Sequence, residues 1–306
     1  MGFGFAQVPE APCYRLCNAR APLTLVATSG LAADAEGLSR VDLTVDDGRI
    51  ASILPAGTFS IDADLPQIDL DGGLVLPRFV DIHTHLDKGH IWPRRPNPDG
   101  TFAGALGAVR ADREAHWSAE DVRARMTFSL RCAFAHGTGA IRTHLDVPGP
   151  QGAISWPVFS AVREAWAGRI ALQAVSLFPI DLTLDDEPAF REIVRLTAEH
   201  GGILGGVTFL GEPPGPRTVA AIERVVRAAQ EHNLDLDLHV DESGSPDART
   251  LDIVADAVLA SGFSGRALCG HCCALSRLEE AALERMIARV TEARLAIVSL
   301  PMCNMY

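Results

Sequence analysis

The chain has 306 residues, 47% hydrophobic and 22% charged, which supplies enough apolar material for one large core, or a large and a small one, and implies no disorder. A formal net charge of −12 and a pI near 5.2, with no basic run anywhere, exclude nucleic acid and anionic membrane surfaces as partners and favour a small neutral or cationic substrate. Seven cysteines without regular spacing point to reduced thiols, and residues 1–10 lack a basic n-region with a long apolar core, so a cytoplasmic protein is expected.

Residues 1–73 read as short half-buried β segments. Residues 23–26 and 41–45 have strand texture, the turn Asp46-Asp47-Gly48 follows, and residues 49–54 complete a hairpin. A small N-terminal β domain is expected there, with a second domain over 74–306.

From Leu74 the texture changes. An apolar run ends in His83-Thr84-His85, and a long loop rich in Pro, Arg and Gly, residues 90–117, follows it. Ser118-Ala119-Glu120-Asp121 then marks a helix N-cap with an acidic first turn, and the helix stops at Gly137. Strands are predicted over 140–144, 170–177, 203–209, 234–239, 266–269 and 295–299, and helices over 158–166, 188–200, 218–232, 250–260 and 278–292. Seven strands alternating with helices, and no Gly-x-Gly-x-x-Gly turn after any of them, favour an α/β fold of the (β/α)₈ barrel type over a doubly wound sheet.

An eighth βα unit needs roughly 30 more residues than remain after the seventh strand. The strand count therefore predicts a portion of a longer product, binding metal weakly on its own. Its first and seventh strands would present open edges that invite pairing with another chain, so a homo-oligomer is among the expectations.

Barrel chemistry sits at the C-terminal ends of strands. Four of the seven predicted strands end in histidine: His83 and His85, then His144 followed by Asp146, then His239 followed by Asp241 and Glu242, then His271. Alternation in a strand points His83 and His85 the same way, close enough to hold one cation. A divalent metal lowers the pKa of water toward neutrality, and a nearby carboxylate carries the proton to a leaving nitrogen. Glu242, three residues past His239, is placed for that role, and His271 for a hydrogen bond to the attacking hydroxide or the developing charge. Two other metal patterns fail: Cys269-Gly270-His271-Cys272-Cys273 has no second ligand pair for structural zinc, and the His-x-Glu with Pro-Cys-x-x-Cys of small zinc deaminases does not occur.

These pieces, His83-Thr84-His85-Leu86-Asp87, Ile141-Arg142-Thr143-His144-Leu145-Asp146-Val147, His239-Val240-Asp241-Glu242 and Gly270-His271, resemble the amidohydrolase superfamily, in its cytosine deaminase-like branch, over residues 41–306. The resemblance implies one divalent ion, zinc or iron, on His83, His85 and His239, with an eighth-strand aspartate that would lie beyond Tyr306. Binuclear relatives bridge two metals with a carboxylated lysine after strand four, whereas the one lysine here, Lys88, follows strand one; a mononuclear site is expected. His144 and Asp146 have no ligand role in the family, which leaves them packing or hydrogen bonding behind the ligands.

The implied reaction is hydrolytic deamination of a small nitrogen heterocycle. Cytosine deaminases carry a glutamine just after the third strand, where this chain has Ser176-Leu177-Phe178-Pro179-Ile180, so a triazine, modified pyrimidine or cyclic amidine is expected in place of cytosine. Arg94 and Arg95 are candidates for the mouth of the barrel. Hydrolysis of an N-substituted aminotriazine or a cyclic amide is the alternative chemistry, and a non-catalytic barrel that only binds is the alternative of another class.

Overall fold

The computed structural model describes residues 7–58, 65–209, 211–245 and 247–301, apart from the Phe102 side chain. Leu210, at the end of the expected fourth barrel strand, and residues 302–306 lie outside the described residues. The chain divides into two compact units, Met1–Pro77 and Arg78–Tyr306.

The first unit holds β1 (Cys13–Pro22), β2 (Leu38–Asp46), β3 (Arg49–Pro55) and β4 (Gln67–Asp69), in the sheet order β3-β2-β1-β4. The β2–β3 hairpin turns on Asp47 and Gly48, both at positive φ (47° and 72°), the pairing that a type I′ turn requires. Val41 and Leu43, two residues apart, point into a small core with Ala19 and Ala21. The strand expected at 23–26 is a 3₁₀ turn, Leu23–Leu25, and the true strand precedes it. A bulge hides that strand from its sequence: the β1–β2 register shifts between Leu16 and Ala19, where Asn18 sits at φ 53° and donates its N–H to Asp42.

The second unit runs β5 (Phe79–Thr84), α1 (Phe102–His116), α2 (Ala119–Ala135), β6 (Thr138–Asp146), α3 (Gln151–Ala165), β7 (Ala171–Leu177), α4 (Leu182–Asp185), α5 (Glu187–Glu199), β8 (Ile203–Val207), α6 (Pro216–Glu231), β9 (Leu236–Val240), α7 (Thr250–Ser261), β10 (Ala267–His271), α8 (Glu280–Glu292) and β11 (Leu295–Val298). Its seven strands lie side by side in chain order, every adjacent pair parallel. This is a curled sheet of the (β/α)₈ type. The helices bury one face against it, with Trp156, Phe159, Leu204, Ile222 and Leu238 almost wholly enclosed.

Two differences from the sequence reading bear on the site. The first barrel strand begins at Phe79, because residues 73–75 pair with Arg20 of β1 and Pro77 has no N–H to give a ladder. The expected loop at 90–117 contains α1. Glycines 104 and 107 and the absence of an apolar stripe concealed this helix, which is held instead by polar groups. Thr101 caps it by accepting from the Gly104 N–H. Arg94 grips it: its guanidinium donates to both carboxylate oxygens of the buried Asp112 (2.8 Å each) and to Asp121 of α2 at 2.6 Å. Trp117 Nε1 adds a 2.7 Å bond to Asp112. Arg94 is thus a clamp for the loop. Ser118 caps α2 as expected, accepting from the Asp121 N–H. No helix among the described residues is long and apolar enough to cross a membrane.

Replacing Arg94 with Ala leaves the Asp112 carboxylate buried without its counter-charge. The expected loss is about 3 kcal/mol of unfolding free energy, read as a lower urea midpoint. A midpoint within error of the parent would mean that the clamp contributes nothing.

Candidate metal centre

Alternation along the strands lines up the residues that enter the barrel: Asp81, His83 and then His85 from β5; Arg142, His144 and Asp146 from β6; Asp237 and His239 from β9; Cys269 and His271 from β10. Five imidazoles meet at the strand ends. His239 Nε2 lies 3.2 Å from His83 Nε2 and 3.3 Å from His85 Nε2. His83 comes this close to β10 only because residue 270 is glycine; a Cβ there would stand 2.8 Å from the His83 ring.

A single ring nitrogen carries one proton or one lone pair, so His239 Nε2 cannot satisfy both neighbours by hydrogen bonding. Two nitrogens each about 2.05 Å from a tetrahedral ion are about 3.3 Å apart. The donor set therefore fits one divalent cation. Burial works in the same direction. It holds His83 down to about 3 and pushes His85 and His239 well below the ordinary imidazole value, so the rings are neutral with lone pairs available.

His144 is fully buried and also close: one donor atom from each of His83, His144 and His239 lies within 4.8 Å of the others. Its ring, however, rests against the face of His83, centroids 4.1 Å apart, and its Nε2 is 3.8 Å from Asp237 Oδ1. Asp237 is in turn held by Arg142 (2.8 Å), which also donates to Gln173. A charged layer thus lies one strand step beneath the imidazoles.

Glu242 stands just beyond β9, its carboxylate 3.6 Å from His271 Nδ1. Burial raises its pKa, while the charges of His271 and Lys88 oppose that rise. The preceding residue fixes its direction. Asp241, at φ 48°, turns back to accept from the N–H groups of Thr250 and Leu251 and from the Thr250 hydroxyl, which caps α7. Thr208 steadies the same segment by donating its N–H and hydroxyl to the His239 carbonyl.

The structure brings together His83, His85, His239, Glu242 and His271. Sequence reasoning missed Arg113, because it belongs to the unforeseen α1, and Asp237 with Arg142, although each lies two residues before a site histidine on its strand. Arg113 donates to Asp146 Oδ2 at 3.0 Å, and Lys88 Nζ lies 3.2 Å from Asp146 Oδ1. Asp87, wholly buried, accepts from the Asp146 N–H, and burial pushes its carboxyl up to about 7. Among the described residues no cysteine joins the candidate metal group. Burial raises the Cys269 thiol strongly and Cys272 to about 12, which keeps both as neutral thiols.

Residues 183–306 match the amidohydrolase family. The whole chain aligns with 68% of the pterin deaminase of Rhizobium rhizogenes, at 51% identity over 307 residues. Among solved structures it resembles 5-methylcytosine deaminase from Klebsiella pneumoniae liganded with phosphonocytosine (TM-score 0.77, 26% identity, 95% of this chain and 67% of that one). It also resembles N-isopropylammelide isopropylaminohydrolase from Burkholderia multivorans (TM-score 0.70, 27% identity, 94% and 68%). The chain spans about two thirds of each of these proteins. With its strand-end histidines, its parallel barrel sheet and these relatives, the chain belongs to the amidohydrolase family, in its deaminase-like branch.

Proposed function

We propose that this chain carries the centre of a hydrolytic deaminase that replaces an amino group on a small nitrogen heterocycle with oxygen and releases ammonia. The observation that carries the reading is the approach of His239 Nε2 to both His83 Nε2 (3.2 Å) and His85 Nε2 (3.3 Å), beside the half-buried Glu242. The 51% identity to a pterin deaminase favours a fused ring bearing both amino and oxo groups over a triazine.

His83, His85 and His239 hold the metal, zinc or iron, both of which suit imidazole. When bound, a divalent cation supplies a hydrolytic nucleophile at neutral pH. Glu242 takes the proton from the attacking water and delivers it to the departing nitrogen. Burial raises its pKa, which makes it a stronger base than an ordinary exposed carboxylate. His271, 3.6 Å from that carboxylate, hydrogen-bonds the charge that develops at the reacting carbon. His144 supports the His83 ring from behind. Cysteines without a disulfide pattern suit a reducing, cytoplasmic compartment.

Glu242→Gln keeps the shape and removes the base, so kcat is expected to fall by about 10²- to 10⁴-fold with metal content by mass spectrometry unchanged. Near-normal turnover would remove Glu242 from the mechanism. Chelation should abolish ammonia release and lower the melting temperature, since it leaves neutral buried imidazoles facing one another; re-addition of zinc or iron should restore both. Activity that survives complete metal removal, or a metal-loaded protein inert across a panel of aminated heterocycles, would favour a binding protein. The pH profile follows from the sign of the Glu242 shift. Below its pKa the carboxyl is protonated and cannot act as base, so the acid limb of kcat/KM should lie above the ordinary carboxylate range. An acid limb within that range would contradict the assignment.

A further inference from the structure

The chain carries 27 lysine and arginine residues, and only one of them, Lys88, is a lysine. It sits beside the metal centre. It follows His85 by three residues, and its ammonium reaches Asp146, two residues past His144 at the C-terminal end of β6. Among the described contacts, Lys88 Nζ makes one bond, to Asp146 Oδ1. The other oxygen of that carboxylate already takes Arg113 at 3.0 Å, so the acid has a cation without Lys88. An ammonium has three hydrogens to donate, and its stem is only partly exposed here (22%). Where charge alone is needed this chain uses arginine. A guanidinium is planar and rigid and would tend to lie in a two-point pairing on Asp146, with its donors spent there.

We infer that Lys88 is the donor that reads the substrate: its ammonium, steadied by Asp146, hydrogen-bonds the ring oxo group of an amino-oxo heterocycle and so presents the amino-bearing carbon to the metal histidines and Glu242. This rests on the deaminase reading above and deepens it by naming the substrate class as rings that pair an amino group with a carbonyl acceptor. A purely structural ion pair would disturb stability and all substrates alike. A reading donor discriminates between rings that have the acceptor and rings that lack it.

The test compares the purified holoenzyme with Lys88→Met and Lys88→Arg. It uses pterin, which carries the oxo group, and 2-aminopteridine, which lacks it, with ammonia release as the readout. Binding of 2,4-dioxopteridine, the deaminated ring, is followed by its fluorescence, and metal content by mass spectrometry. Lys88→Met is expected to raise KM for pterin by about tenfold or more. The preference for pterin over 2-aminopteridine should fall by a similar factor, dioxopteridine binding should weaken in parallel, and the metal content should stay at the parental level. Lys88→Arg should not restore the preference. An equal effect on the two substrates, or dioxopteridine binding that ignores the substitution, would overturn the inference, as would failure of the parent protein to bind that ring at all. A parent that binds the ring through Lys88 but releases no ammonia from any substrate would sink the deaminase reading while supporting the role of Lys88.

Discussion

Neutral imidazoles crowded around His239 at the strand ends are the constraint on which the rest of this unit depends. His239 Nε2 lies 3.2 and 3.3 Å from two other ring nitrogens and can share a proton with at most one of them, so a rigid frame is needed to hold all three rings there. The frame is the parallel sheet. His83 comes from one edge strand and His239 from the fifth strand along, so curvature of the sheet, and not proximity in sequence, makes them meet. A one-residue slip in β5 or β9 would send its histidine to the opposite face. Gly270 makes the approach feasible by leaving space where any other residue would put a carbon.

Beneath the imidazoles the barrel interior is charged where an apolar filling would be the default. Arg142 ties Asp237 to Gln173 across three strands, and Asp237 faces His144. Above them, Lys88 and Arg113 flank Asp146. The strand-end histidines are therefore sandwiched between two polar layers. Buried charges of this kind contribute little net stability. They fix rotamers, and a site whose geometry must hold to a fraction of an ångström needs that more than it needs extra stability.

The parts of this arrangement that were legible in sequence are those governed by local periodicity. Alternation in β5 announced His83 and His85 as a pair, and the recurrence of histidine at strand ends announced the barrel mouth before any coordinates. Ser118 and Gly137 bracketed α2 because capping chemistry is local. What stayed hidden was set by distant partners. The helix α1 depends on Arg94 reaching Asp112 and Asp121, and nothing in the sequence around Gly104 or Gly107 signals that ion pairing. The first strand of the small unit was obscured by the bulge at Asn18, which breaks the two-residue rhythm that would have betrayed it.

Asp241 links the Glu242 carboxylate to the outer shell of the barrel. Its side chain closes the first turn of α7 while its backbone, in a left-handed conformation, aims Glu242 inward. Helix ends fray at lower free energy than cores unfold. Thr250 and Leu251 are themselves buried, so this first turn belongs to the core and not to the exposed helix ends that open early. The direction of residue 242 is therefore tied to the packing of α7 on the barrel, so that loosening this helix and turning Glu242 away are one and the same event.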